Sequence, residues 1–256
     1  MSAEAVFMNG PKILTALFPE LVWHQDSFLP DTALLISELG ILKISSSAEM
    51  EKELHLRQSR GDYITRRRLQ RKALLPGLIN THSHAFQRAI RGRTEYPLLS
   101  SQESDENFWT WREVMYETAS RLDPLDVEAI SQAVFVEMVK SGMTHVGEFH
   151  YLHHRADGSP FENPDEMSHR VLSAARSAGI GITMLRSFYQ RAGVGRSEAE
   201  DAQKMFCDPS LEFYFETLER FRSQDIKVGV SAHSVRAVTK EALAQLIAYS
   251  LSLIHI

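Results

Sequence analysis

Leu74-Leu75-Pro76-Gly77-Leu78-Ile79-Asn80-Thr81-His82-Ser83-His84 is the stretch on which the fold turns. Residues 74–80 form a short, nearly continuous apolar run, as expected of a strand buried on both faces. The run closes on a His-x-His pair. In an extended chain residues i and i+2 point the same way, so both imidazoles can converge on one metal ion. Imidazole nitrogen suits zinc or iron among divalent metals, and barrel folds build their sites at the carboxyl ends of parallel strands.

Downstream, strand-like and helix-like segments alternate. Residues 144–150, 180–187 and 226–232 read as strands. Residues 107–120, 124–141, 164–178, 197–207, 209–223 and 239–249 read as helices. Gly142, Gly179 and Asp225 fall between a helix and the next strand, where helix stops belong. With the first strand this makes four strand–helix units and predicts an α/β fold with a parallel sheet. An open doubly wound sheet and part of a (β/α)8 barrel both satisfy the pattern. No Gly-x-Gly-x-x-Gly follows the first strand, so a dinucleotide fold has no support.

Upstream, the chain reads as a β-rich domain over residues 1–75, followed by the α/β region over 76–250. Residues 21–28, 32–36 and 41–44 are predicted strands, broken at Pro30, Asp31 and Gly40. Residues 45–53 read as a polar loop, and 63–69 as extended chain. The basic run Arg66–Lys72 is read as a solvated strand, because no aromatic platform accompanies it.

The 256 residues are 43% hydrophobic and 24% charged, with formal net charge −5. These are values of a soluble globular protein and exclude collagen-like or disordered chains. Mild acidity argues against a nucleic-acid partner. Cys207, the single cysteine, has no internal disulfide partner, and eleven histidines accompany it. That usage suits a reducing compartment. No targeting pattern opens the chain, and no apolar run approaches the roughly 20 residues of a membrane helix. A cytoplasmic location without a membrane partner is the expectation.

Pro76-Gly77-Leu78-Ile79-Asn80-Thr81-His82-Ser83-His84 resembles the first-strand motif of the amidohydrolase superfamily. Four blocks narrow the likeness to the formimidoylglutamate deiminase family: His84-Ala85-Phe86-Gln87-Arg88-Ala89, Phe108-Trp109-Thr110-Trp111-Arg112-Glu113, Glu148-Phe149-His150-Tyr151-Leu152-His153-His154 and Ser231-Ala232-His233-Ser234-Val235-Arg236-Ala237-Val238. They keep family order over about residues 74–250. Ala232 stands where the family more usually has proline, and the leader up to about residue 60 matches only loosely.

The resemblance implies the first half of a metal-dependent-hydrolase TIM barrel, preceded by part of a small β-sandwich. It implies hydrolysis of N-formimino-L-glutamate to N-formyl-L-glutamate and ammonia, a step of histidine degradation. One zinc ion is implied per site, with iron as the other metal to consider. His82 and His84 would be its first two ligands. The ion would bring the pKa of its water toward about 7, and hydroxide would attack the formimino carbon. The small-molecule substrate would be held by Gln87, Arg112, Tyr151, His233 and Arg236. Arg112 would meet a substrate carboxylate and Arg236 the α-carboxylate, as guanidinium chemistry allows. The structural alternatives are a helix cap for Gln87, a surface ion pair for Arg112 and packing for Tyr151. His150, His153 and His154 are read as lying behind the ligands. A homodimer of the full-length protein also belongs to these implications.

The family further needs a third metal histidine in a His-x-Ala-Glu motif, a later histidine and a metal-binding aspartate. None of these motifs occurs in the 256 residues. Residues 251–256, Leu-Ser-Leu-Ile-His-Ile, resemble a translated sequencing-adapter end, so His255 is not taken as a ligand. The expectation is an incomplete gene product, inactive and poorly folded as written. Two other functions are weighed against this. One is a related deaminase acting on a purine-like ring, against which Arg112 and Arg236 speak. The other is a non-catalytic fragment.

Overall fold

The computed structural model describes residues 12–93 and 108–253, without the side chains of 108–110. The chain divides into two compact units, one ending at Pro76 and one beginning at Gly77.

The first unit holds β1 (Ile13–His24), β2 (Ser27–Pro30), β3 (Thr32–Ser37), β4 (Gly40–Ser46), α1 (Ser47–Ser59) and β5 (Tyr63–Leu74). These strands make one five-stranded sheet. β1 pairs antiparallel with β2 and β3 and parallel with β5, and β4 pairs with β3. This sheet is the strand-rich leader expected as one part of a small sandwich. Two local expectations are corrected. Residues 21–28 are not one strand: Gln25 and Asp26 take φ of 48° and 60° and turn the run into a hairpin. Residues 45–53 are not a loop: Ser45 and Ser46 end β4, and residues 47–53 enter α1. The Ser46 hydroxyl accepts a hydrogen bond from the Glu49 N–H at 3.3 Å, capping the helix. Met50 and Leu54, one turn apart, bury against Leu14, Ala16, Phe18, Ala33 and Leu35. The basic run lies on β5, where Arg66 and Arg68 reach Glu51 at 3.5 and 3.6 Å.

The second unit runs β6 (Leu78–Ser83), α2 (Phe108–Ala119), α3 (Pro124–Lys140), β7 (Met143–His150), α4 (Glu166–Ala178), β8 (Gly181–Phe188), α5 (Leu211–Ser223), β9 (Val228–Ala232) and α6 (Lys240–Ser252). Its four strands pair in the order β6-β7-β8-β9, all parallel. Sheet order equals chain order, as in consecutive strands of a (β/α) barrel. The helices carry their own boundary signals. Asp123 and Asp126 form a reciprocal capping box at α3, with Pro124 at its first position. α5 buries Tyr214, Thr217, Leu218 and Phe221 on one helical face. Gly142, Gly179 and Asp225 take φ of 87°, 75° and 59°, the left-handed stops expected before β7, β8 and β9.

Three further readings change. β6 is not buried on both faces: Leu78 and Ile79 are 59% and 65% exposed. It stands at the sheet edge and pairs only with β7 among the described residues. Within 197–207 only a short 3-10 turn forms, over Asp201–Phe206. There the Gln203 amide oxygen accepts from the Glu200 N–H at 2.9 Å and closes the turn locally. Leu251 and Ser252 belong to α6. His255 lies outside the described residues.

Candidate active site

The four parallel strands deliver four side chains to one place. The first residues past β6, β7, β8 and β9 are His84, Tyr151, Tyr189 and His233, and all line a cavity of about 520 Å3. His82, Gln87, Arg112 and Arg236 line it too. All seven residues singled out in the sequence therefore share one wall-to-wall space at the strand ends.

His82 and His84 rings stand 4.9 Å apart, centre to centre. Ser83 between them is buried on the opposite side of the strand. His84 Nδ1 lies 3.0 Å from the Phe149 carbonyl oxygen. A carbonyl only accepts, so Nδ1 carries the hydrogen and Nε2 keeps its lone pair. Burial lowers the His84 pKa, which keeps that lone pair free of a proton. Metal-binding histidines are commonly oriented by such a backbone contact, so the donor set fits a divalent ion. Among the described residues no group of three His, Cys, Asp or Glu side chains completes a site. Glu148 steadies the pair from behind: its Oε1 accepts from the Ala85 N–H at 2.6 Å. Burial pushes its carboxyl up to about 7.

Gln87 sits on the 3-10 turn Ala85–Ile90. Its amide donates to the Tyr151 hydroxyl. It therefore tethers a neighbour across the cavity. Tyr151 is 3% exposed, with its ring 5.7 Å from His84 and 4.9 Å from His233. Burial raises its hydroxyl pKa, so it remains a neutral phenol. His233 is pushed down to about 4, first by burial and then by His84 and Arg236. It meets a ligand as an uncharged imidazole. Arg112, on α2, holds its guanidinium 5.4 Å from the centre of the Tyr116 ring. Arg236 is exposed at the cavity.

His150, His153 and His154 do not line this cavity. They are buried, as are Arg186 and Asp208. Arg186 Nη1 and Nη2 donate to the two Asp208 oxygens, each at 2.6 Å. His153 Nε2 faces the Ser187 carbonyl at 3.0 Å. Sequence reasoning missed Tyr189 and Tyr116 as cavity residues. Tyr189 carried a weaker signal: it lies two residues past a predicted strand, where Tyr151 and His233 follow theirs directly. Tyr116 carried none, since an aromatic on a helix reads as core.

A parallel β/α sheet with imidazoles and arginines gathered at its carboxyl edge defines the scaffold of a barrel-type metallohydrolase. The chain belongs to the amidohydrolase family, whose profile matches residues 73–252. It is 43% identical over 180 residues to formimidoylglutamate deiminase of Pseudomonas aeruginosa, covering 69% of this chain and 39% of that protein. The 8-oxoguanine deaminase of the same organism is 30% identical over 82 residues, 32% of this chain and 17% of that protein. An amidohydrolase structure from Brucella melitensis matches with TM-score 0.72 at 31% identity, covering 91% of this chain and 50% of that one. An adenosine deaminase from Xanthomonas campestris, solved with bound zinc, shares the fold at TM-score 0.62 and 16% identity, covering 95% and 48%. The chain thus spans half or less of the length of each of these four relatives.

Proposed function

We propose that the protein carrying this chain hydrolyses N-formimino-L-glutamate to N-formyl-L-glutamate and ammonia with one divalent metal, zinc, per site. One observation carries the reading: the imidazole pair and two arginines, Arg112 and Arg236, line the same cavity. An acidic substrate needs cations; a neutral ring does not. The identity to the Pseudomonas deiminase supports the same substrate.

His82 and His84 would hold the metal, which when bound supplies Lewis acidity and a water that ionises near neutral pH. The chain's own residues do the rest. Arg112 and Arg236 bind the carboxylates and fix the direction of the substrate. His233, uncharged, accepts from or donates to the formimino group without adding a repelling charge. Tyr151, tethered by Gln87, offers a directed phenol. Phe149 and Leu185 give the cavity an apolar wall, which strengthens the polar contacts opposite.

Sequencing the transcript past the Ser250 codon defines the protein to assay, and ammonia release is then followed with zinc present. Turnover of formiminoglutamate is expected. Turnover of guanine or 8-oxoguanine alone would replace this reading with the second one, a purine-ring deaminase, which the shorter match to 8-oxoguanine deaminase favours.

A further inference from the structure

Three of the four strand-end residues in the cavity have a part in the reading above, and Tyr189 has none. It follows β8 directly and is 4% exposed, with its ring 4.5 Å from that of His233. Tyr116 lines the same cavity and is its polar neighbour, acting on its hydroxyl. Tyr116 in turn touches two fixed groups. Its ring lies under the Arg112 guanidinium, and its hydroxyl accepts from Gln203 Nε2 at 3.4 Å. Gln203 is fully buried, and its amide oxygen is occupied by the Glu200 N–H. That contact fixes which end of the amide faces Tyr116, so the amide donates. With that donor on its oxygen, the Tyr116 hydrogen is free to turn toward its neighbour Tyr189, and the Tyr189 hydrogen is left for the cavity. Burial and the Tyr116 hydroxyl both raise the Tyr189 pKa, so the phenol keeps its hydrogen to give.

We propose that Tyr189 is a specificity-determining residue whose hydroxyl, in the cavity wall with Tyr116, donates to the substrate carboxylate bound by Arg112. This rests on the deiminase reading, since it requires an anionic substrate. Arg236 is reserved for the α-carboxylate, so the Tyr189–Arg112 end takes the side-chain carboxylate. A phenol beside a guanidinium adds direction to charge: the carboxylate receives donors from two sides, and a neutral ring satisfies neither.

The test compares the full-transcript enzyme with Tyr189→Phe, which keeps the ring and removes only the donor. KM for N-formimino-L-glutamate is expected to rise about tenfold or more, with a smaller fall in kcat, the worth of one hydrogen bond to a charged group. The same variant is then assayed on an N-formimino amino acid lacking the side-chain carboxylate. There the Tyr189→Phe penalty should shrink to within about twofold, because its partner is gone. Equal penalties on both substrates would mark Tyr189 as merely structural and overturn the proposal. An unchanged KM would do the same while leaving the deiminase reading intact. Calorimetry with N-formyl-L-glutamate gives a second readout. A wild type that neither turns over the acid nor binds this product overturns both readings. Tyr116→Phe, which frees the Tyr189 hydroxyl to wander, should raise KM in the same direction by less.

Discussion

Asp208→Asn isolates one of the few buried cations of the second unit. Arg186 is 1% exposed and Asp208 side-chain exposure is nil, and two parallel hydrogen bonds of 2.6 Å join them. Burial disfavours the guanidinium charge, and the Asp208 carboxylate more than offsets it. The amide of asparagine keeps the shape and loses the charge. Removing one partner of a buried pair costs about 3–5 kcal/mol, because the other charge stays buried without a counter-ion. With a urea slope on the order of 2 kcal/mol/M, the midpoint falls by about 1.5–2.5 M. Urea unfolding followed by circular dichroism reads this directly. Arg186→Met combined with Asp208→Leu removes both charges and should recover most of the loss. A shift under about 0.5 M for Asp208→Asn, about 1 kcal/mol on the same slope, would refute the claim that this carboxylate neutralises Arg186.

Three other outcomes are expected. His82→Ala and His84→Ala should each abolish metal-dependent ammonia release and strip zinc, with plasma emission spectrometry counting the metal; a loaded, active variant would remove that residue from the ligand set. His150 is buried with its pKa pushed down to about 3, so the unfolded chain binds its proton first as pH falls. Stability should therefore be unaffected above about pH 6.5 and decline below it by up to about 1.4 kcal/mol per pH unit, and His150→Phe should flatten that slope in denaturation curves. Gly77→Ala would set a Cβ 2.7 Å from Thr144 Cβ, and a β-branched side chain has little room to turn away. A loss of about 1–3 kcal/mol in the same unfolding assay is expected, and a neutral result would mean β6 slides freely at its edge.

The alternation of elements was legible because each boundary has a local cause. Asp123 with Pro124 starts a helix and Gly179 ends one whatever surrounds them. The site residues were legible for a related reason: in a parallel sheet a strand end is an address, and His84, Tyr151 and His233 all carry it. What escaped depends on partners distant in sequence. Met50 and Leu54 make a helix only because Leu14 and Leu35 cover them. The exposure of Leu78 and Ile79 follows from which strands flank β6, and an apolar run says nothing of that. Tyr116 became a cavity residue through Gln203, 87 positions away.

The order β6-β7-β8-β9 has a consequence for synthesis. Each strand, as it leaves the ribosome, meets its sheet neighbour already made, one helical connection earlier. Among the described residues β7, β8 and β9 each find a partner made just before them. One pairing of the five-stranded sheet behaves oppositely. β1, at Ile13–His24, finds its parallel partner only when Tyr63–Leu74 has emerged. The imidazole pair stands on the first strand of the growing sheet, and the Phe149 carbonyl that orients His84 arrives with β7, before Tyr189 or Arg236 has been translated.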